Sequence, residues 1–168
     1  MAISMYTASV PVFVQFLTAL SGVLKKAADH AAAKKIEPSV LIGARLYPDM
    51  LALARQVQIA TDHAKGSVSR LAGVEIPSFA DTEATFEELE ARIAKTLSYI
   101  QGFKPGQIDG SDDKQITLNL HGNVFEFTGA DYLTRWALPN FFFHTTTAYA
   151  ILRHAGVEIG KRDFMGGK

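Results

Sequence analysis

Residues 74–84, VEIPSFADTEA, separate two strongly periodic segments, and their length decides how the chain can fold. Before them, Met50, Leu53, Val57, Ala60, Ala64, Val68 and Leu71 recur at three- and four-residue steps. That spacing predicts an amphipathic helix from about Pro48 to Ala72, stopped by Gly73. After them, Phe86, Leu89, Ile93, Leu97 and Ile100 predict a second helix ending before Gly102. Thr85 and Glu88 have capping-box spacing, and Glu87, Glu88 and Glu90 suit the positive end of the helix dipole. Adjacent antiparallel helices are normally joined by about 2–8 residues. The linker here reaches roughly 35 Å when extended, about the length of the helix before it at roughly 1.5 Å per residue. It can therefore travel the length of a bundle and leave its flanking helices parallel. A looser hairpin is compatible with the same residues, because length permits a crossover without requiring one.

Two further helical segments lie outside this pair. Phe13, Phe16, Leu17, Leu20, Val23, Leu24, Ala27 and Ala31 make one broad apolar stripe, with Ser9 as the expected N-cap and Pro11 in the first turn. The run from Val10 to Leu24 lacks a preceding Lys or Arg, is interrupted by Gln15, Thr18 and Ser21, and is too short to span a bilayer. It reads as a core helix of a cytoplasmic protein. Pro38 and Pro48 limit any helix between them to a short turn. The last helix is expected from near Ala130 to Gly156, with a kink or a fresh start at Pro139. Ahead of it, Ile116, Leu118 and Leu120 alternate with polar residues, "HGN" reads as a turn, and Val124 to Phe127 follow, which predicts a β-hairpin. The predicted architecture is an all-α four-helix bundle with a small hairpin inserted between helices three and four, as a single domain over residues 1–168.

Composition narrows the function classes. Of 168 residues, 48% are apolar and 20% charged, which is globular composition. Seventeen basic residues balance seventeen acidic ones, so no basic footprint for nucleic acid is present. No cysteine is present, which removes thiol nucleophiles, disulfides and thiolate metal sites. There is no phosphate-cradling glycine loop and no Ser–His–Asp motif. The loop Asp109–Asp113, "DGSDD", lacks the ligand spacing and closing Glu of a calcium loop. In the tail, "GKRDF" suits a surface salt bridge better than an anion site.

The order of helices, the long linker and the closing "HTTTAYAILRHAG" resemble the DinB-like (YfiT-like) superfamily of four-helix bundles. "LYPDM", "QVQIATDHAKG", "RLAG", "GADYL" and "PNFFFHTTTAYAILRHAGVEIGKRDF" resemble one branch of it, described as a domain of unknown function. The resemblance covers nearly the whole chain and implies an up-down-down-up bundle with a long crossover. Several members of the superfamily bind a divalent metal through three histidines, one on the second helix and two lying four residues apart near the start of the fourth. Some of these are thiol-dependent isomerases or transferases. Laid on this sequence, the helix-four positions are Asn140 and His144, so an asparagine stands where a histidine is expected.

At about 100° per residue, Asp62 points away from the apolar stripe of its helix and suits a pair with Lys65, whereas His63 sits at the stripe's edge. His63 is therefore the third ligand if a metal, zinc or nickel, is held with His144 and Asn140. Gln58 is a poor ligand for any transition metal. The other reading makes His144 a core histidine bonded to a neighbouring helix, Asn140 a residue closing the turn after Pro139, and His63 a boundary residue. His154 lies too far along the helix to join the others and suits its negative end. His30 and His121 read as solvated. Trp136, Phe141, Phe142, Phe143 and Tyr149 cover almost every side of the last helix, as for a helix lining a ligand pocket or sealing a homodimer. The expectation is a small-molecule-binding or structural module without a complete metal triad, dimeric, with no cofactor and no nucleic-acid or membrane partner. The alternative is a divalent-metal-dependent enzyme, a thiol-dependent transferase or isomerase or a hydrolase, using His144 and His63.

Overall fold

The computed structural model describes residues 3–120 and 122–167; His121, expected in the hairpin turn, lies outside the described residues. Four long helices form the bundle: α1 (Met5–Lys34), α3 (Leu53–Ala72), α4 (Phe86–Gln101) and α7 (Leu138–His154). Short helices α2 (Pro38–Ile42), α5 (Pro105–Ile108), α6 (Gly129–Asp131) and α8 (Lys161–Phe164) lie between or after them. Strands β1 (Gln115–Leu120) and β2 (Asn123–Thr128) pair antiparallel, with Ile116 opposite Phe127 and Leu118 opposite Phe125.

The direction of each helix follows from its contacts. On α3 and α4, Thr61 meets Arg92 and Ser69 meets Tyr99, so the residue numbers rise together and the two helices are parallel. Between α3 and α7 the numbers run in opposite senses, Gln56 meeting His144 and Ser67 meeting Tyr132 just ahead of α7. Phe13 of α1 packs edge-on against Phe141 of α7 at 4.9 Å, and the C-terminal ends of these two helices also meet. The bundle is up-down-down-up, and residues 74–84 are the crossover. Phe13, Leu17, Leu24, Leu53, Val57, Leu89, Ile93, Phe141 and Leu152 fill its interior. The long apolar helix α1 turns its stripe inward against this core.

Several boundaries differ from the sequence expectation, each for a local reason. Helix α1 begins four residues before Ser9, capped by Ser4 in a reciprocal box with Thr7. Ser9 is instead buried inside the helix, its hydroxyl donating to the Met5 carbonyl at 2.6 Å. Pro11 consequently falls in the second turn rather than the first. It is tolerated at an exposed position, as is Thr7, whose carbonyl loses a donor there. Helix α3 starts at Leu53 rather than near Pro48, because the Leu53 amide reaches back to the Ala44 carbonyl at 2.9 Å and closes a loop across the intervening residues. The Thr85–Glu88 box and the Gly73 cap are as expected, Gly73 adopting φ +74°, where a side chain would be strained. In the hairpin, Ile116 and Leu118 face inward, and Phe125 and Phe127 close on Trp136 at 5.6 and 5.9 Å.

At Pro139 the helix neither stops nor breaks. It runs from the Thr128 cap to His154, widening to a π-helical turn over Tyr132–Ala137 just before the proline. A proline removes one donor and crowds the carbonyl four residues earlier, and the wider turn absorbs both effects. The Asn140 side-chain amide donates to the Trp136 carbonyl at 2.8 Å, supplying a donor where the pitch changes.

The three consecutive phenylalanines separate as their 100° spacing requires. Phe141 is fully buried, Phe142 packs on Phe16 at 4.8 Å, and Phe143 is 59% exposed. In the tail, Asp163 takes the bridge, accepting from Lys26 at 2.5 Å, while Phe164 packs on Phe16 and Tyr149. Asp109 of the "DGSDD" loop accepts the Tyr6 amide at 2.8 Å and so helps satisfy the start of α1.

Candidate functional site

The antiparallel α3–α7 pair brings the sequence-nominated residues to one side of the bundle. The His63 and His144 rings stack with centroids 5.8 Å apart and planes inclined by 17°. His144 Nδ1 lies 2.8 Å from Gln56 Oε1. Gln56 Nε2 is committed to the Leu51 carbonyl, which fixes the amide with its oxygen toward the histidine. An amide oxygen only accepts, so Nδ1 carries the proton and Nε2 keeps its lone pair. Burial pushes the His63 pKa down to about 4, helped by the neighbouring charges of His144 and Arg70. Burial, then Arg55, lowers that of His144 as well. Both imidazoles are therefore neutral near pH 7.

His63 also faces a cleft of about 270 Å³ between α3, β1 and the π-helical turn. Ile59, Leu118, Leu120 and Trp136 supply its apolar surface, and Asp62, His63, Arg70, Tyr132 and Asn140 its polar groups. A hydrogen-bond chain orders its inner end. Arg70 Nη1 donates to the Tyr132 hydroxyl at 3.2 Å, Tyr132 to Ser67 at 3.3 Å, and Ser67 to the His63 carbonyl at 2.5 Å. The direction is set by the ends: guanidinium only donates, and the Ser67 proton is committed to the carbonyl. Sequence reading missed Arg70 and Tyr132, because helical spacing does not reveal that Arg70 folds back toward Gly66.

The same residues can be tested against a metal. A shared ion would lie in the plane of both imidazoles, about 2 Å from one nitrogen of each. The Gln56 bond to His144 Nδ1 leaves Nε2 with its lone pair, and the Asn140 nitrogen donates to Trp136, which leaves the amide oxygen. Among the described residues no three His, Asp or Glu side chains gather around a common position. Of the three nominated residues, the structure brings the His63 and His144 rings together and ties the Asn140 nitrogen to its own helix.

Asp62 bonds Lys65 at 3.0 Å, as its spacing predicts. It also meets Arg92 at 2.9 Å, a residue sequence reading passed over. Arg92 is buried and donates to Thr61, the Ala80 carbonyl, Asp62 and Glu83, and pairs with Asp81 at 3.0 Å. Burial works to raise the Asp81 and Glu83 carboxyls, yet the bonds and charges facing them, from Arg55 and Arg92 for Asp81 and from its own backbone amide, then Arg92 and Gln58, for Glu83, hold both below their usual values. Gln58, dismissed as a ligand, belongs to this network through Glu83 and Arg55. The cluster straps the crossover to α3 and α4. Its signal was present: Arg92 lies on the buried face between Leu89 and Ile93, with two acids waiting in the linker. His154 is exposed in the last turn of α7, as expected, whereas His30 is partly buried near the end of α1.

Comparison with known proteins agrees with this geometry. Residues 5–165 match the family model described as a domain of unknown function, DUF1993. A solved structure of a DinB family member protein from Shewanella denitrificans superposes with a TM-score of 0.88 at 39% identity, over 97% of this chain and 92% of that one. No curated protein matches the chain. The chain thus belongs to the DUF1993 family and has a DinB-like bundle.

Proposed function

We propose that this DinB-like domain is a small-molecule-binding module without a complete metal triad, and that the cleft beside His63 is its binding site. The observation that carries this reading is the cleft itself. Neutral His63, Arg70, Tyr132 and Asn140 converge on a concave, largely apolar surface, the usual make-up of a ligand site. The stacked imidazoles then serve as a rigid wall, with Gln56 holding the far ring. On this reading residues 1–168 form one cytoplasmic domain without a nucleic-acid or membrane partner.

The alternative, a divalent-metal enzyme using His144, His63 and Asn140, is favoured by one feature. Two neutral imidazoles lie side by side, and neutral imidazole is the ligand form. Metal analysis of protein purified without chelator separates the two. Less than about a tenth of an equivalent is expected; near-stoichiometric zinc or nickel, lost in His144→Ala, would establish the alternative.

We also propose a homodimer. Phe143, exposed next to His144, is the side chain a partner surface would cover. Sedimentation velocity should return a dimer in the wild type and a monomer in Phe143→Asp. A wild-type monomer at working concentration ends this proposal.

A further inference from the structure

We propose that the cleft takes a small monocarboxylate with a planar apolar body, its carboxylate held by the Arg70 guanidinium. This rests on the binding-module reading above and gives that site its ligand class. Among the described residues no carboxylate lies within salt-bridge distance of Arg70, whereas Arg92, Arg55 and Lys65 all have acidic partners. Arg70 is not a loose surface cation. Its Nη1 is fixed on the Tyr132 hydroxyl, and that hydroxyl is fixed by Ser67. The guanidinium carbon lies 5.8 Å from the Tyr132 ring centroid. Space for the head is made by Gly66, one turn earlier: a Cβ at that position would approach Arg70 Nη1 to 2.7 Å. One helical residue lacks a side chain where the next turn's guanidinium lies.

One donor edge of Arg70 is used on Tyr132, and a planar guanidinium retains further N–H groups in a fork that matches a carboxylate. A single cation suits one negative charge better than a phosphate dianion, the more so because Asp62 lines the same cleft. The Asp62 charge is already answered by Lys65 and Arg92, so Arg70 remains the group that answers the ligand. Opposite it, Leu118, Leu120, Ile59 and Trp136 offer an apolar surface for a flat body. A volume of 270 Å³ has room for about nine water-sized groups at roughly 30 Å³ each, the size of a benzoate or a phenylacetate. The neutral ring of His63 and the amide of Asn140 complete the polar edge.

Trp136 is the only tryptophan and lines the cleft, so its fluorescence reports occupancy without a label. Titration with benzoate and phenylacetate should give a saturable change, with their neutral amides binding about tenfold or more weakly. Arg70→Met should bring the acids down to the level of the amides. Gly66→Ala should do the same by displacing the guanidinium while keeping the charge and a good helix former, and it carries the test if Arg70→Met does not fold. Acids and amides binding equally, or a preference that survives both substitutions, would overturn the role of Arg70 and leave the cleft as a neutral-ligand site. No response of Trp136 to any of these probes would overturn both the ligand class and the cleft as a binding site.

Discussion

Acidification should destabilise this protein well above the pH at which its carboxylates titrate, and His63 should be the main cause. Its folded pKa of about 4 lies below the ordinary value of 6.5. The unfolded chain therefore binds the proton first, and folding loses stability as pH falls from above 6.5 toward 4. With those two values, moving from about pH 7.5 to about pH 5 removes RT ln[(1 + 10^1.5)/(1 + 10^−1)], about 2 kcal/mol. Part of the depression comes from a charged His144, whose own value is lowered as well, so about 1–2 kcal/mol is the working expectation. Asp81 and Glu83 have lowered values and act in the same direction. Their stability is lost only as pH falls through the acid range below about 4.5, so at about pH 5 they remove no more than roughly 0.2 kcal/mol each. Urea unfolding followed by circular dichroism at several pH values measures the effect. Wild type should lose this stability between about pH 7.5 and 5, and His63→Gln should lose less than half as much, the remainder belonging to His144. Parallel pH profiles for the two proteins, or a wild type that gains stability toward pH 5, would refute the assignment.

Other perturbations test the frame around the site. Arg92→Met removes the buried guanidinium that ties Asp62 and the two linker acids together, and should cost about 1.5–3 kcal/mol while opening residues 74–84 to limited proteolysis; resistance equal to wild type would show that the strap does not hold the crossover. Thr85→Ala removes the cap of α4 and should cost about 1 kcal/mol in thermal or urea melts. Phe141→Ala, which empties a buried site against Phe13, should cost about 3–5 kcal/mol. By contrast Phe143→Ser should change monomer stability by less than about 0.5 kcal/mol, and similar losses for both would contradict their different burial.

Much of the frame was legible before any coordinates. Periodicity located the four long helices, because burying an apolar stripe is the main reason they form. The length of residues 74–84 admitted the parallel pair that α3 and α4 adopt. What escaped were features fixed by distant partners. Ser4 caps α1 through Thr7, a box of two hydroxyls that looks unremarkable beside Ser9. Leu53 starts α3 because its amide meets Ala44, a bond no window of local propensity contains. At the site, the helical angle put His63 at the edge of its stripe, where it meets His144. It could not say that the rings would stack. Arg70 was silent because its place depends on the absence of a side chain at Gly66 and on a tyrosine sixty-two residues away.

The π-helical turn has a geometric consequence for the cleft. In an unbroken α-helix, residues four apart drift by about 40° per step, so three of them spiral off any straight line. The broader loop of backbone over Tyr132–Ala137 unwinds that drift. Tyr132, Trp136 and Asn140 consequently stand in file along the same opening. Excising one residue from this segment would restore ordinary winding, swing the tyrosine and tryptophan around the axis, and leave a sound helix with no lining to offer a guest.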